Sequence, residues 1–131
     1  MKTHPANPPV LLLVLMDGIV LLLVTFVGFA SHSSSLADGR WLATFLPMLG
    51  GWLAAGGLGG VFQPQISMDY RQLWRVLIAA GLAAPLGAVV RGLWLQNVVM
   101  PLFALVMMAV SAAGLLIWRL VWIWWTTRKR A

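Results

Sequence analysis

An all-α polytopic membrane protein, with four transmembrane helices in a compact bundle and both termini on the cytoplasmic side, is the fold the sequence predicts. Three observations predict it. Hydrophobic residues make up 61% of the 131-residue chain and charged residues 9%, against roughly 45–50% and about 25% in soluble domains, so a water-facing surface cannot be covered. The apolar residues fall into four runs, each close to the ~20 residues that cross ~30 Å of hydrocarbon. The nine Lys and Arg gather at the ends of those runs, more on one side than the other. The chain length suits one membrane domain, residues 1–131, rather than two ordinary domains.

The first span covers about residues 9–29 (VLLLVLMDGIVLLLVTFVGF). Lys2 before an apolar stretch resembles a secretory leader, but the run is longer than the usual leader core and Asp17 interrupts it, so an uncleaved anchor is expected. Asp17 costs about 2.5–3.5 kcal/mol at a helix centre while each Leu, Ile, Phe or Val contributes roughly −0.3 to −0.6, and the many aliphatic residues around it outweigh it. The second span covers about 41–62 and contains Pro47. The third, the shortest, covers about 73–90 with Pro85 inside it, and the fourth about 98–118. Beyond Ile117 the run Arg119–Trp125 either extends the fourth helix or turns along the interface; one tilted helix that emerges gradually is favoured.

Orientation follows from the positive-inside rule. With four spans, Lys2, Arg71, Arg75, Arg128, Lys129 and Arg130 share one side, and Arg40 and Arg91 the other. Trp41 and Trp94 then lie at the outer ends and Trp74 and Trp118–Trp125 at the inner ends, where amphipathic rings settle; Trp52 alone is mid-span. The expected location is the cytoplasmic (inner) membrane of a prokaryote. The net charge of +6 suits an anionic inner leaflet, and with no basic stripe interleaved with aromatics, nucleic-acid binding is not expected. No cysteine is present, which excludes disulfides, thiolate metal sites and Cys nucleophiles.

Few residues carry chemistry. Asp17 is a functional candidate because an ionisable group in lipid needs a partner. Gly28, eleven residues on, lies near the same helical face, with Thr25 and His32 to one side, and this face is expected to turn inward. At ~1.5 Å per residue Asp17 lies roughly 12 Å from the end near Pro9, and Arg119 roughly 13 Å from Arg128. If the fourth helix is continuous the two reach one depth and pair; if it bends, Arg119 reaches the headgroups instead. His32 and Arg91 form a second candidate layer, read either as interfacial caps or as an anion or proton site. A metal centre is not expected, because the only other histidine is His4 in the N-terminal tail and one internal His with one Asp falls short of the usual ligand set. No cofactor is expected either.

Glycines and prolines read as architecture. Gly50, Gly51, Gly56, Gly57, Gly59 and Gly60 crowd the second span, with Gly56/Gly60 at small-xxx-small spacing, and Ala80, Ala84, Gly87 and Arg91 share one stripe of the third; such faces let helices approach closely in lipid. GGLGG lacks the Lys-Ser/Thr of a phosphate loop. Pro47 and Pro85 are expected to kink their helices. Met100, Met107 and Met108 suit adaptable apolar contact rather than a soft-metal path.

Taken in order, Asp17, Gly28 and His32; Thr44, Pro47, Gly51 and Trp52; Gly87 and Arg91; and Phe103, Trp118 and Arg119 form a pattern that resembles the domain-of-unknown-function 3054 family of small bacterial and archaeal membrane proteins. The resemblance runs from about Leu12 to Arg119. It departs where Met48 follows Pro47, a place for Phe in the family pattern, and in the inner loop. It implies a multi-span membrane protein with no established activity, and it implies that Asp17, His32, Arg91 and Arg119 form one interior network.

Three functions compete. The first is a non-enzymatic helix bundle or accessory subunit, alone as a homo-oligomer or within a larger membrane complex. The second is a small oligomeric proton- or ion-coupled transporter or channel using Asp17, similar in layout to small multidrug transporters. A lipid-phosphate enzyme is disfavoured, because such chemistry needs clustered acidic Mg²⁺ ligands and only Asp38 and Asp69 lie outside the spans.

Overall fold

The computed structural model describes residues 10–31 and 37–131. Its helices are α1 (Val10–Ser31), α2 (Arg40–Leu58), the single-turn α3 (Pro64–Ser67), α4 (Leu73–Leu95) and α5 (Pro101–Arg130), with a 3₁₀ turn at Tyr70–Gln72 before α4. Four of these, α1, α2, α4 with its preceding turn, and α5, are long and apolar enough to cross a membrane. The protein is thus all-α and polytopic. Lys2, His4, His32 and Ser33–Ser35 lie outside the described residues.

The four long helices pack as a ring in which α2 lies tightly on α4, α4 on α5, and α1 against both α5 and α2. Their outer surfaces carry exposed Leu, Ile and Val, such as Leu11, Leu15, Leu23 and Val27 on α1 and Leu82 and Leu86 on α4, as a lipid solvent requires. The inner face of α1 follows the i+4 ridge through Leu13, Asp17, Leu21 and Thr25. Gly28 does not continue that face: it is half-buried, and a Cβ there would meet nothing within 4 Å. Thr25, whose hydroxyl donates to the Leu21 carbonyl at 2.9 Å, takes its place, because successive i+4 steps keep to the ridge that packs on the neighbouring helices.

Small residues set the α2–α4 separation. A Cβ on Gly51 would lie 2.9 Å from the Ala83 carbonyl oxygen, and one on Gly87 3.1 Å from the Met48 Cα and 3.4 Å from the Pro47 carbonyl carbon. Close backbone approach of this kind gives the van der Waals packing that helps hold helices together in lipid. Around it sit Leu21, Met48, Trp52, Ala79, Ala80, Ala83, Ala84 and Leu115 as the buried core. Both α2 and α4 continue as helix through Pro47, which is buried, and through Pro85, which is exposed.

The span boundaries differ from expectation at four ends. The second helix stops at Leu58 rather than near Phe62, because Gly60 takes a left-handed φ of 71° and closes a Schellman turn: Val61 N–H donates to the Gly56 carbonyl at 3.0 Å and Gly60 N–H to that of Gly57 at 3.2 Å. Gly56 and Gly60 are therefore not a helix-packing pair. Gly60 supplies the turn, and Gly56 leaves space for the returning chain, since a Cβ on it would come within 2.9 Å of Val61 and Phe62. The third helix runs on from about Val90 to Leu95 and ends in a second Schellman turn, in which Asn97 N–H donates to the Gly92 carbonyl at 3.0 Å. The fourth begins at Pro101, its N-cap Met100 extended, and is one unbroken helix to Arg130, which resolves the choice at Ile117 in favour of continuity.

The turn after α4 places Gln96, not glycine, at φ 53°, a conformation that costs a side-chain-bearing residue roughly 1 kcal/mol. Gln96→Gly is expected to stabilise the protein by up to about 1 kcal/mol, read as a shift to higher denaturant in an unfolding titration in mixed micelles; an unchanged or lower midpoint would contradict this reading of the turn.

Candidate functional site

Deep in the half of the bundle that holds the start of α1 and the end of α5, Asp17 and Arg119 form an ion pair, Nη2 to Oδ2 at 2.7 Å, with side-chain exposures of 0% and 1%. The same carboxylate oxygen accepts from Trp52 Nε1 at 3.2 Å. Arg119 then uses Nη1 to donate to the Val61 carbonyl at 2.8 Å, and its guanidinium lies 5.9 Å from the Trp52 ring and 5.8 Å from that of Phe62. Three helices and the turn after α2 are thus joined at one point. Each charge taken out of water costs several kcal/mol, repaid only by good geometry and by satisfying the remaining polar atoms; the Val61 carbonyl and the Trp52 indole supply part of that.

The end of α2 explains why cations gather here. Its terminal carbonyls carry the negative end of the helix dipole, and two arginines meet the turn that follows: Arg119 on Val61, and Arg75 from α4, whose Nη1 donates to the Gly59 carbonyl at 2.9 Å while Nε donates to Gln72 at 2.8 Å. Beyond the ion pair, five buried polar atoms have no hydrogen-bond partner among the described residues: Asp17 Oδ1, Ser111 Oγ, Trp118 Nε1, Arg119 Nε and Trp122 Nε1. All but the first lie on α5.

A second polar layer lies toward the other end. Eight residues from Asp17, Trp52 and Arg119 along their helices, or roughly 12 Å by helical rise, come Thr25, Thr44 and Ser111, all buried. Arg91 of α4 joins this layer: its Nε donates to Thr44 Oγ1 at 2.8 Å and its guanidinium stacks 4.6 Å over the Phe103 ring of α5. It borders a narrow crevice lined also by Met48, Ala84, Gly87, Ala88 and Met107. Leu21, Met48, Ala83, Ala84 and Leu115 belong to the apolar core.

Of the polar residues singled out from the sequence, the structure joins Asp17 to Arg119, and places Arg91 apart with Thr44 and Phe103. A single network through Asp17, Arg91 and Arg119 is not formed, because the helical rise sets the layers just over two turns apart. His32 lies outside the described residues. Gly51 and Gly87 make the α2–α4 contact, and Trp52, fully buried, is the second donor to Asp17. That role was signalled by its mid-span position, since a buried indole N–H needs an acceptor. The Val61 carbonyl and the Arg75 cap went unseen; a backbone acceptor leaves no mark in residue type. Among the described residues no group of three His, Cys, Asp or Glu comes together as a metal site.

The family sequence model described as "Protein of unknown function (DUF3054)" matches residues 14–122. The chain belongs to the DUF3054 family. The match takes in α1 from its second turn and α5 past Arg119, so both polar layers of this DUF3054 protein lie within it. No curated protein and no solved structure matches the chain. Eight of the twelve residues of the ordered pattern that resembles DUF3054 fall on the two layers: Asp17, Trp52 and Arg119 in one, and Thr44, Pro47, Gly87, Arg91 and Phe103 around the other.

Proposed function

We propose that this DUF3054 protein is a non-enzymatic membrane helix bundle that acts as an accessory subunit, working through its helix surfaces rather than through chemistry in its interior. The observation that carries the reading is the engagement of Asp17: one carboxylate oxygen takes both Arg119 and Trp52, and that arginine also holds the Val61 carbonyl. A group so bound ties α1, α2 and α5 together. The crevice beside Arg91 and a shallow cleft between Pro64, Asp69 and Arg130 both lie away from this pair. The setting we propose is the cytoplasmic membrane of a prokaryote, with both termini inside, where Arg128, Lys129 and Arg130 meet an anionic leaflet. Arg128 stacks 4.1 Å over Trp124 and Lys129 3.9 Å over Trp125, an arrangement suited to the interface. Tagged protein extracted from native membranes in mild detergent is expected to carry other membrane proteins in fixed ratio; elution as a lone chain under every mild condition would count against the accessory role.

A second reading, a small oligomeric proton- or ion-coupled transporter using Asp17, is favoured by the unpartnered polar atoms spread along α5 from Ser111 to Trp122, since polar groups lining a bundle interior mark ion pathways. Proton flux in liposomes that Asp17→Asn abolishes would support it, and flux unchanged by that substitution would remove Asp17-coupled transport.

A further inference from the structure

Arg91 presents a charge that the chain cannot neutralise. Asp17, Asp38 and Asp69 are its only acidic side chains, and neither 1–9 nor 32–36 contains one. Asp17 is bound to Arg119 in the other layer. Asp38 sits 3.5 Å from Arg40. Asp69 is at the opposite end of the bundle, where it accepts from the Arg71 N–H at 2.9 Å. The nearest cation along α2 is unhelpful: Arg40 stands one turn from Thr44, on the same face, and adds to the positive field. A charge within a span is costly without a partner, and none of the three carboxylates is placed to supply one to Arg91.

The surroundings say what kind of anion. Arg91 lies four residues before the end of α4, so its Cα is about 6 Å inside the helix end, near the boundary between acyl chains and headgroups. A free arginine there would extend outward to water. This one is instead held against Thr44 and the Phe103 ring, which fixes the guanidinium at the mouth of the crevice between α2, α4 and α5. The crevice is narrow, with a free volume of about 10 Å³, so no whole anion fits inside it. Its remaining walls, Met48, Ala84, Gly87, Ala88, Phe103 and Met107, are apolar. A ligand that offers a single charged oxygen while its bulk stays in the bilayer fits both facts; a small anion wholly enclosed by protein fits neither.

We infer that the half-buried Arg91, held by Thr44 and Phe103, binds the phosphate diester of a phospholipid from the leaflet at the C-terminal end of α4, one non-ester oxygen on the guanidinium and the acyl chains in the surrounding bilayer. Arg91 is the ion-pairing group, Thr44 orients it, and Phe103 forms the floor beneath it.

Native mass spectrometry of the full chain, delipidated in detergent and then titrated, tests the assignment. Four additions are compared: phosphatidylglycerol, diacylglycerol with the same acyl chains, oleate, and inorganic phosphate. One phosphatidylglycerol per chain is expected to survive activation that strips annular lipid, with diacylglycerol retained about tenfold less, the size of one charge-assisted contact. Arg91→Gln is expected to lower phosphatidylglycerol retention by a similar factor, with Arg71→Gln, an exposed charge at the other end of the molecule, unchanged. Equal retention of phosphatidylglycerol and diacylglycerol by the unaltered protein would overturn the inference without recourse to any variant. So would retention of oleate or inorganic phosphate in place of the phospholipid. Equal retention by the unaltered protein and a folded Arg91→Gln would do so as well.

Discussion

Asp17→Ala is expected to destabilise the protein by about 3–5 kcal/mol, the cost of leaving one member of a buried ion pair unmatched. The stranded group is Arg119, 1% exposed, about a third of the way along α5 from its C-terminal end. Its remaining contacts, the Val61 carbonyl and the Trp52 and Phe62 rings, leave it a cation without an anion. The double variant Asp17→Leu with Arg119→Met is expected to recover most of the loss, because removing both charges also removes the desolvation cost they share. Trp52→Leu, by contrast, combines loss of a buried ring with loss of a hydrogen bond, so Trp52→Phe is the cleaner probe of the 3.2 Å contact; cross-helix hydrogen bonds in membranes average about 0.6 kcal/mol, and a cost near that value is expected. Equilibrium unfolding in mixed micelles measures all three. A single-variant loss below about 1 kcal/mol, or a double variant no better than Asp17→Ala, would show that the pair does not govern stability.

Gly51→Val is expected to cost about 3 kcal/mol, at the upper end of the range for overpacking. The obstacle is what sets the size. A Cβ on Gly51 meets the Ala83 carbonyl oxygen at 2.9 Å and its Cα at 3.3 Å, and backbone cannot rotate aside as a side chain does. The helices must separate, which also lifts Gly87 from Met48 and loosens the core around Trp52. Gly50 is the matched control. It adjoins Gly51, but a Cβ there meets nothing within 4 Å, so Gly50→Ala is expected to be neutral or to stabilise by up to about 1 kcal/mol through helix propensity alone. Equal effects at the two positions would mean that α2 does not pack on α4 through Gly51.

Much of this was legible in the sequence, for reasons that differ by feature. The four spans were readable because lipid imposes a length and composition that little else does. The meeting of Asp17 and Arg119 was readable because helical rise converts residue number into depth, once α5 is continuous. What one dimension does not hold is azimuth. The partner of Arg91 is Thr44, a pairing that depends on which faces of α2 and α4 meet, and the sequence placed Arg91 with His32 only by depth. The end of α2 was misjudged for a different reason: Val61 and Phe62 prolong the apolar run past the point where Gly60 turns the chain, so hydropathy continues after the helix has stopped. Gly56 and Gly60 then looked like a packing stripe, although their four-residue spacing spans the helix terminus.

The ion pair also has a history in synthesis. Asp17 and Arg119 are 102 residues apart, so α1 enters the bilayer long before its partner has been made. At about 5–20 residues per second, the interval is roughly 5–20 seconds. During it the aspartate either takes up a proton, stays in the translocation channel, or borrows a neighbour, and Trp52 is the first of its final contacts to emerge. A chain that stops before α5 keeps that unmet carboxylate. Helix α5 therefore completes α1, and burial of the Asp17 carboxylate beside its partner waits on translation of α5.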